Sequence, residues 1–145
     1  MIRVCLVEDQ TIVRQGLRTL LSLMPDIEVV AEASDGDRAV AVVIEARPDI
    51  VLLDLRMPGK DGLAVLADLK AAGYLPPTII LTTFDEEGLV RAGLQAGAKG
   101  FLLKDVSLER LTEAIRTVAA GGTMVQPVLT ERILQAGLDA RSDFP

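Results

Sequence analysis

Acidic, hydroxyl and ammonium side chains follow short apolar runs at four points in the sequence. Glu8 and Asp9 follow the first run, Asp54 the third, Thr82 the fourth and Lys104 the fifth. Carboxylates that converge repel each other, which raises at least one pKa unless a cation intervenes. Mg²⁺ prefers oxygen ligands, takes one or two carboxylates and is completed by water and phosphate oxygens. These residue types therefore indicate a divalent-metal site prepared for a phosphoryl group.

Phosphoryl transfer needs an in-line nucleophile and positive charge around the phosphoryl oxygens. Asp54 is the candidate nucleophile, because carboxylates form covalent intermediates of this kind. Lys104 would supply a mobile cation and Thr82 a hydroxyl donor. For any one of these residues, a helix cap, a turn or a solvated surface position is the plainer interpretation. The joint pattern at four strand ends is what favours a site.

The elements that must position these residues are five apolar runs of strand length, separated by segments of helical periodicity. Five β-then-α units predict a doubly wound α/β sandwich, with a parallel sheet between two layers of helices. Such sheets bind ligands beyond the carboxyl ends of their strands. Periodicity leaves the strand order open. The first helical segment places Val13, Leu17, Leu20, Leu21 and Met24 on one face, and the last does so with Leu108, Leu111, Ile115 and Val118.

Composition excludes several classes of function. The chain has 145 residues, enough for one domain, and a net charge of −6, which disfavours non-specific nucleic-acid binding. It has no histidine, so histidine-dependent triads and histidine-ligated zinc are excluded. The single cysteine, Cys5, lies in an apolar run and is interpreted as a buried structural thiol. Without a membrane-spanning run or a signal-peptide pattern, we expect a cytoplasmic protein that does not bind membranes.

Four segments together resemble the signature segments of bacterial response-regulator receiver domains. The similarity covers roughly residues 1–122, and the set is far more specific than any one segment. The segments are Leu6-Val7-Glu8-Asp9-Gln10, the run from Asp54 to Gly62, Leu81-Thr82-Thr83-Phe84-Asp85 and the run from Ala96 to Lys104.

The resemblance implies a CheY-like, flavodoxin-like (βα)5 fold with strand order 2-1-3-4-5. It implies Asp54 as the phosphoacceptor and a sensor histidine kinase as the phosphodonor. The cofactor would be Mg²⁺, with Mn²⁺ as a substitute. Thr82 and Lys104 would bind the phosphoryl group, while Thr82 and Phe101 would form the switch. The implied metal ligands are Glu8, Asp9, Asp54 and the backbone carbonyl of Arg56.

The segments around Thr82, Lys104 and Gly121-Gly122 resemble the LuxR-type (NarL-like) transcription regulators most. Residues 1–122 would then be the receiver domain. Residues 123–145 would form an extra short helix, beginning near Pro127, and a linker toward a C-terminal helix-turn-helix domain. DNA would be bound only through that domain, which these residues do not include, and a homodimer is expected. The alternatives are a stand-alone receiver and an interaction module that works without phosphorylation.

We expect a self-phosphorylating switch that hydrolyses its own phosphoryl group slowly, and not an enzyme. The bulk of Arg56 and Phe84, each two residues beyond a site residue, would restrict the approach of water. A haloacid-dehalogenase-like phosphatase is disfavoured because Asp54-Leu55-Arg56 lacks the second acid of its D-x-D pair. Asp105 follows Lys104 where many receivers have proline, often after a cis bond. A cis bond before a residue other than proline costs about 3–4 kcal/mol, which favours trans unless packing enforces strain, so the sequence leaves the isomer open.

Overall fold

The structure is a computed structural model and describes residues 1–83, 88–127 and 129. The strands are β1 Ile2–Val7, β2 Ile27–Ala33, β3 Ile50–Asp54, β4 Thr78–Thr82, β5 Gly100–Leu103 and β6 Met124–Val125. The helices are α1 Thr11–Ser22, α2 Gly36–Ala46, α3 Gly62–Ala71, α4 Leu89–Gln95 and α5 Leu108–Ala119.

All strand pairs of the sheet are parallel, in the order β2-β1-β3-β4-β5-β6. The predicted order of the first five strands is confirmed. The sixth strand was not predicted, since two residues are too few to show a periodicity. Its Met124 and Val125 pair with Gly100 and Phe101 at the edge of the sheet.

Two hydrophobic cores lie on opposite faces of the sheet. One core joins α2, α3 and α4 to alternate strand residues such as Cys5 and Val7, and the other joins α1 and α5 to Val4 and Leu6. Every residue of β3 is buried, as its continuous apolarity predicts for a central parallel strand. The apolar face of α5 is confirmed, but Leu20 of α1, grouped with the buried face, is 43% exposed.

Short polar side chains begin three of the helices. Ser107 accepts a hydrogen bond from the Arg110 amide and so caps α5, and serine is one of the residues preferred at this position. Asp61 accepts a hydrogen bond from the Ala64 amide at the start of α3. Asp35 accepts a hydrogen bond from the Arg38 amide at the start of α2. These caps satisfy amides that the first helical turn leaves without partners.

Further expectations concern Cys5, the Lys104–Asp105 peptide bond, the C-terminal tail and membrane-spanning helices. Cys5 is buried. The pKa of its thiol is raised to about 12, mainly by this burial and to a smaller extent by the negative charge of Glu32. The Lys104–Asp105 peptide bond is trans, as are all the other peptide bonds of the described residues. Of the tail helix and linker predicted for residues 123–145, Pro127 and Leu129 are helical, whereas Met124 and Val125 form the strand β6. Val128 and the residues after Leu129 fall outside the described residues. None of the described helices is long and apolar enough to cross a bilayer.

Candidate functional site

The strand register brings the predicted site residues to one edge of the sheet. Val7 of β1 pairs with Leu53 of β3, so Glu8 and Asp54 are neighbours just beyond that pair. Asp54 in turn pairs with Leu81 of β4, immediately before Thr82. Thr82 pairs with Leu103 of β5, immediately before Lys104. The acids, the hydroxyl and the ammonium therefore meet, although they are far apart in sequence.

Lys104 bridges two buried carboxylates. Its Nζ atom lies 3.0 Å from Oε2 of Glu8 and 3.0 Å from Oδ2 of Asp54. Glu8 and Asp54 are 3% and 5% exposed, so water screens their charges little. Buried charges are costly unless they are paired and hydrogen-bonded. The ammonium of Lys104 supplies that pairing for both acids.

The electrostatics of this triad show that Glu8 needs positive charge nearby to stay ionised. Burial raises the pKa of Glu8, the hydrogen bond from Lys104 opposes the rise, and the charge of Asp54 adds to it. Burial alone would lower the pKa of Lys104, but its hydrogen bonds to Asp54 and Glu8 outweigh burial and raise it. A second cation beside Glu8 would therefore stabilise its ionised form further.

The three carboxylates are close enough to share one ion. Ligand oxygens of Glu8, Asp9 and Asp54 all lie within 4.8 Å of one another. Opposite ligands of Mg²⁺ are about 4.2 Å apart, so small side-chain rotations would complete the approach. When all are ionised, three carboxylates and the ammonium of Lys104 leave two negative charges uncompensated. The donor set, all oxygen and doubly negative, fits a hard divalent cation.

A pocket of about 200 Å³ opens above these residues. At about 30 Å³ per water molecule, this volume accommodates a phosphoryl group and several waters. A larger groove of about 420 Å³ adjoins it through Arg56, but its lining includes neither Lys104 nor the acidic cluster. We assign the site to the smaller pocket because the charged groups converge there. Its lining consists of Asp9, Gln10, Asp54, Arg56, Thr82, Thr83 and Lys104.

The backbone around Asp54 is held by close packing. The Arg56 amide donates a hydrogen bond of 3.2 Å to Oδ1 of Asp54, which leaves Oδ2 to Lys104. A Cβ atom at Gly62 would lie 2.5 Å from the carbonyl oxygen of Asp54, a distance that real Cβ atoms do not adopt. Glycine at this position therefore allows α3 to begin directly against the strand that carries Asp54.

The predicted switch residues lie on adjacent strands. Ile80 pairs with Phe101, two residues before the pair of Thr82 with Leu103. Since side chains alternate along a strand, Thr82 and Phe101 project toward the same face of the sheet. The Phe101 ring is fully buried, and a Cβ atom at Gly93 of α4 would lie 2.3 Å from its Cζ. Phe84, predicted to influence hydrolysis, falls outside the described residues.

Arg14 supports the site and was not singled out from the sequence. Its Nη1 donates a hydrogen bond of 2.8 Å to the carbonyl oxygen of Glu8, and its Nε lies 3.7 Å from Glu32. The Gln10 amide also donates to Oε1 of Glu8, at 3.3 Å. The available sequence signal was a basic side chain in the first turn of the helix that follows the Glu8-Asp9 pair.

Comparisons with known proteins give a consistent result. Residues 4–116 match the response regulator receiver domain family. Transcriptional regulatory protein LnrK of Bacillus subtilis (strain 168) is 38% identical over 134 residues, which cover 92% of this chain and 61% of LnrK. Nitrate/nitrite response regulator protein NarL of Escherichia coli (strain K12) is 36% identical over 137 residues, which cover 94% of this chain and 63% of NarL.

Among solved structures, a LuxR-family two-component response regulator from Aurantimonas sp. SI85-9A1 has a similar fold. Its TM-score is 0.88 at 30% identity, covering 95% of this chain and 99% of that chain. Both curated relatives are longer than this chain, which spans 61% of LnrK and 63% of NarL.

Proposed function

The chain belongs to the response regulator receiver domain family, and we propose that it is a phosphorylation switch in which Asp54 accepts a phosphoryl group in a Mg²⁺-dependent reaction. The observation that carries this proposal is the contact of Lys104 with buried Asp54 and Glu8, beside a third carboxylate from Asp9. Structural ion pairs also occur inside proteins. A doubly negative oxygen cluster at the mouth of a pocket is better suited to a metal and a phosphoryl group.

The chemistry assigns a separate role to each side chain. A carboxylate oxygen of Asp54 forms a bond to phosphorus, while the bond from phosphorus to the donor breaks and its electron pair leaves with the donor. The metal, held by Glu8, Asp9, Asp54 and the Arg56 carbonyl, would neutralise charge on the phosphoryl oxygens. Lys104 would move from Oδ2 of Asp54 to those oxygens, which also frees the nucleophile.

The switch part of the proposal concerns Thr82 and Phe101. The hydroxyl of Thr82, a residue that lines the pocket, would donate a hydrogen bond to the new phosphoryl group. Its displacement would alter the packing of Phe101, which lies on the same face of the next strand. Phosphorylation would thereby shift a population between two packings of β5 and α4.

We further propose that the switch resets by slow self-hydrolysis and does not turn over an external substrate. Arg56 lines the pocket and is exposed, so its side chain can cover the approach of water to Asp54. The proposed phosphodonor is a sensor histidine kinase. The proposed output is transcription through a DNA-binding domain that follows in the whole protein, supported by relatives named as transcriptional regulators. The proposed setting is the cytoplasm, and the proposed assembly is a homodimer.

The test of this function is covalent labelling by a small phosphodonor. With acetyl phosphate and Mg²⁺, intact-mass measurement should show a gain of one phosphoryl group in the wild type and none in Asp54→Asn. The matched control is Asp49→Asn, which alters an exposed aspartate just before the same strand, at its opposite end. Labelling of Asp54→Asn, or equal labelling of the wild type after chelation of metal, would contradict the proposal.

A further inference from the structure

The segment after α5 is attached to the edge of the sheet next to the proposed switch. Residues 124–127 and 129, here called the edge strap, begin with the short strand β6. The Met124 amide donates to the Lys99 carbonyl at 3.0 Å, and the Gln126 amide donates to the Phe101 carbonyl at 2.9 Å. These bonds satisfy the carbonyl groups of Lys99, just before β5, and of Phe101 in β5, which an edge strand would otherwise expose.

The side chain of Gln126 extends this ladder toward the site. Its Oε1 accepts a hydrogen bond of 2.8 Å from the amide of Leu103. In this position the side-chain carbonyl replaces the backbone carbonyl of a longer strand. Leu103 immediately precedes Lys104, whose own amide donates to the Thr82 carbonyl at 2.8 Å. The polar end of the edge strap therefore holds β5 one residue from the lysine that bridges the acids.

The apolar end of the edge strap enters the core that contains the switch ring. The Leu129 amide donates to the Gln126 carbonyl at 2.9 Å, which turns the chain back toward the sheet. Leu129 is fully buried, in the same cluster as Phe101 and as Val90 of α4. Exposing this side chain to water would lose the free energy gained by burying it, so Leu129 anchors the strap.

From these contacts we infer that the edge strap is a second switch element, coupled through β5 to the phosphoryl site. Strap attachment and the bridging of Asp54 and Glu8 by Lys104 stabilise each other in one arrangement. Loading of the site would move Lys104 and repack Phe101, which loosens the strap at Leu103 and Leu129. The strap itself would then detach from the edge of the sheet in response to phosphorylation.

This inference rests on the proposed function, since it requires a site that binds a phosphoryl group. Coupling between two sites is reciprocal. If loading of the site weakens attachment of the strap by some factor, detachment of the strap must raise the affinity of the site for its ligand by the same factor. Gln126→Ala removes one hydrogen bond to Leu103 and leaves the buried Leu129 in place. We therefore expect Gln126→Ala to bind beryllofluoride with Mg²⁺ about two- to tenfold more tightly than the wild type does.

The experiment combines binding with hydrogen exchange on the 145-residue chain. In the wild type, beryllofluoride with Mg²⁺ should speed exchange at the amides of Leu103, Met124 and Gln126 about tenfold. The matched control is Gln15→Ala, an exposed glutamine of α1 that should leave both readouts unchanged.

The outcomes separate the two proposals. If the wild type binds no beryllofluoride, the proposed function fails and the inference fails with it. If it binds with unchanged exchange in the strap, and Gln126→Ala binds no more tightly, the inference alone is wrong. Slower exchange in the strap on loading would also overturn it, because the coupling would have the opposite sign.

Discussion

Replacing Lys104 with methionine should make Mg²⁺ bind more tightly, even though lysine is part of the proposed site. The ammonium of Lys104 lies 3.0 Å from both Glu8 and Asp54, two of the three carboxylates that the metal would use. We expect metal binding in the wild type to give up one of these contacts, because the ion and the ammonium draw on the same two carboxylates. Methionine keeps a similar length and apolar stem but removes the competing charge.

The size of the effect follows from the contact that is lost. A hydrogen bond to a charged group contributes about 1.5–3 kcal/mol, and about 1.4 kcal/mol corresponds to a tenfold change in affinity. Lys104→Met should therefore lower the Kd for Mg²⁺ about tenfold to hundredfold. Without metal the variant should lose about 3 kcal/mol of unfolding free energy, because two buried carboxylates lose their cation.

Isothermal titration calorimetry with MgCl₂ at pH 8 measures this affinity directly. The alkaline pH matters because burial raises the pKa of Glu8, and loss of the hydrogen bond from Lys104 would raise it further. The matched control is Lys99→Met, which removes an equal charge from an exposed residue just before β5. Lys99 is about 16 Å from Lys104 along the strand, beyond the Debye length of about 8 Å.

An unchanged or weaker Mg²⁺ affinity in Lys104→Met would refute the idea that lysine and metal compete for the same carboxylates. An equal increase in Mg²⁺ affinity in Lys99→Met would show that the effect comes from net charge, and would also refute direct competition at the carboxylates.

Three further predictions concern the stability of the fold. Ser107→Ala should cost about 1 kcal/mol of unfolding free energy in urea titrations, because α5 loses its cap; an unchanged midpoint would contradict this. Gly93→Ala should cost about 1–3 kcal/mol, since the new methyl group meets the Phe101 ring; a variant as stable as the wild type would show that α4 shifts freely. The hydrogen bond from Arg116 lowers the pKa of the Asp26 carboxyl in the folded protein. This ion pair therefore stabilises the fold fully at pH values above the usual carboxyl pKa of about 4. Its contribution is lost as the pH falls through the lowered pKa of Asp26. The stability difference between wild type and Arg116→Gln should therefore disappear in acid, and a difference that persists there would refute the ion-pair explanation.

Part of the architecture could be predicted because it depends on local patterns. The alternation of apolar strands with amphipathic helices predicts the layered sandwich, and Ser107 before an apolar helix face predicts a cap. The strand order came from the family resemblance, since hydrophobic periodicity carries no information about neighbours. Leu20 shows a limit of the same pattern, because a helix that packs on a sheet by one narrow stripe leaves its flanking leucine exposed.

The edge strap was beyond prediction for a different reason. Met124 and Val125 form a strand only because β5 offers them an unpaired edge, and Gln126 completes the ladder with a side chain. No local preference in two residues specifies such a pairing. Leu129, which could equally be part of an exposed tail, becomes a core residue once the strap is attached.

The sequence by itself determined which chemistry is available: three carboxylates, a threonine and a lysine at strand ends, with no histidine. Only the tertiary structure decided that Lys104 contacts Glu8 and Asp54 together. Along the chain, Lys104 is 96 positions from Glu8 and 50 positions from Asp54. The contact exists because β1, β3, β4 and β5 are adjacent and parallel, so their carboxyl ends meet at one buried edge where each charge must find a partner.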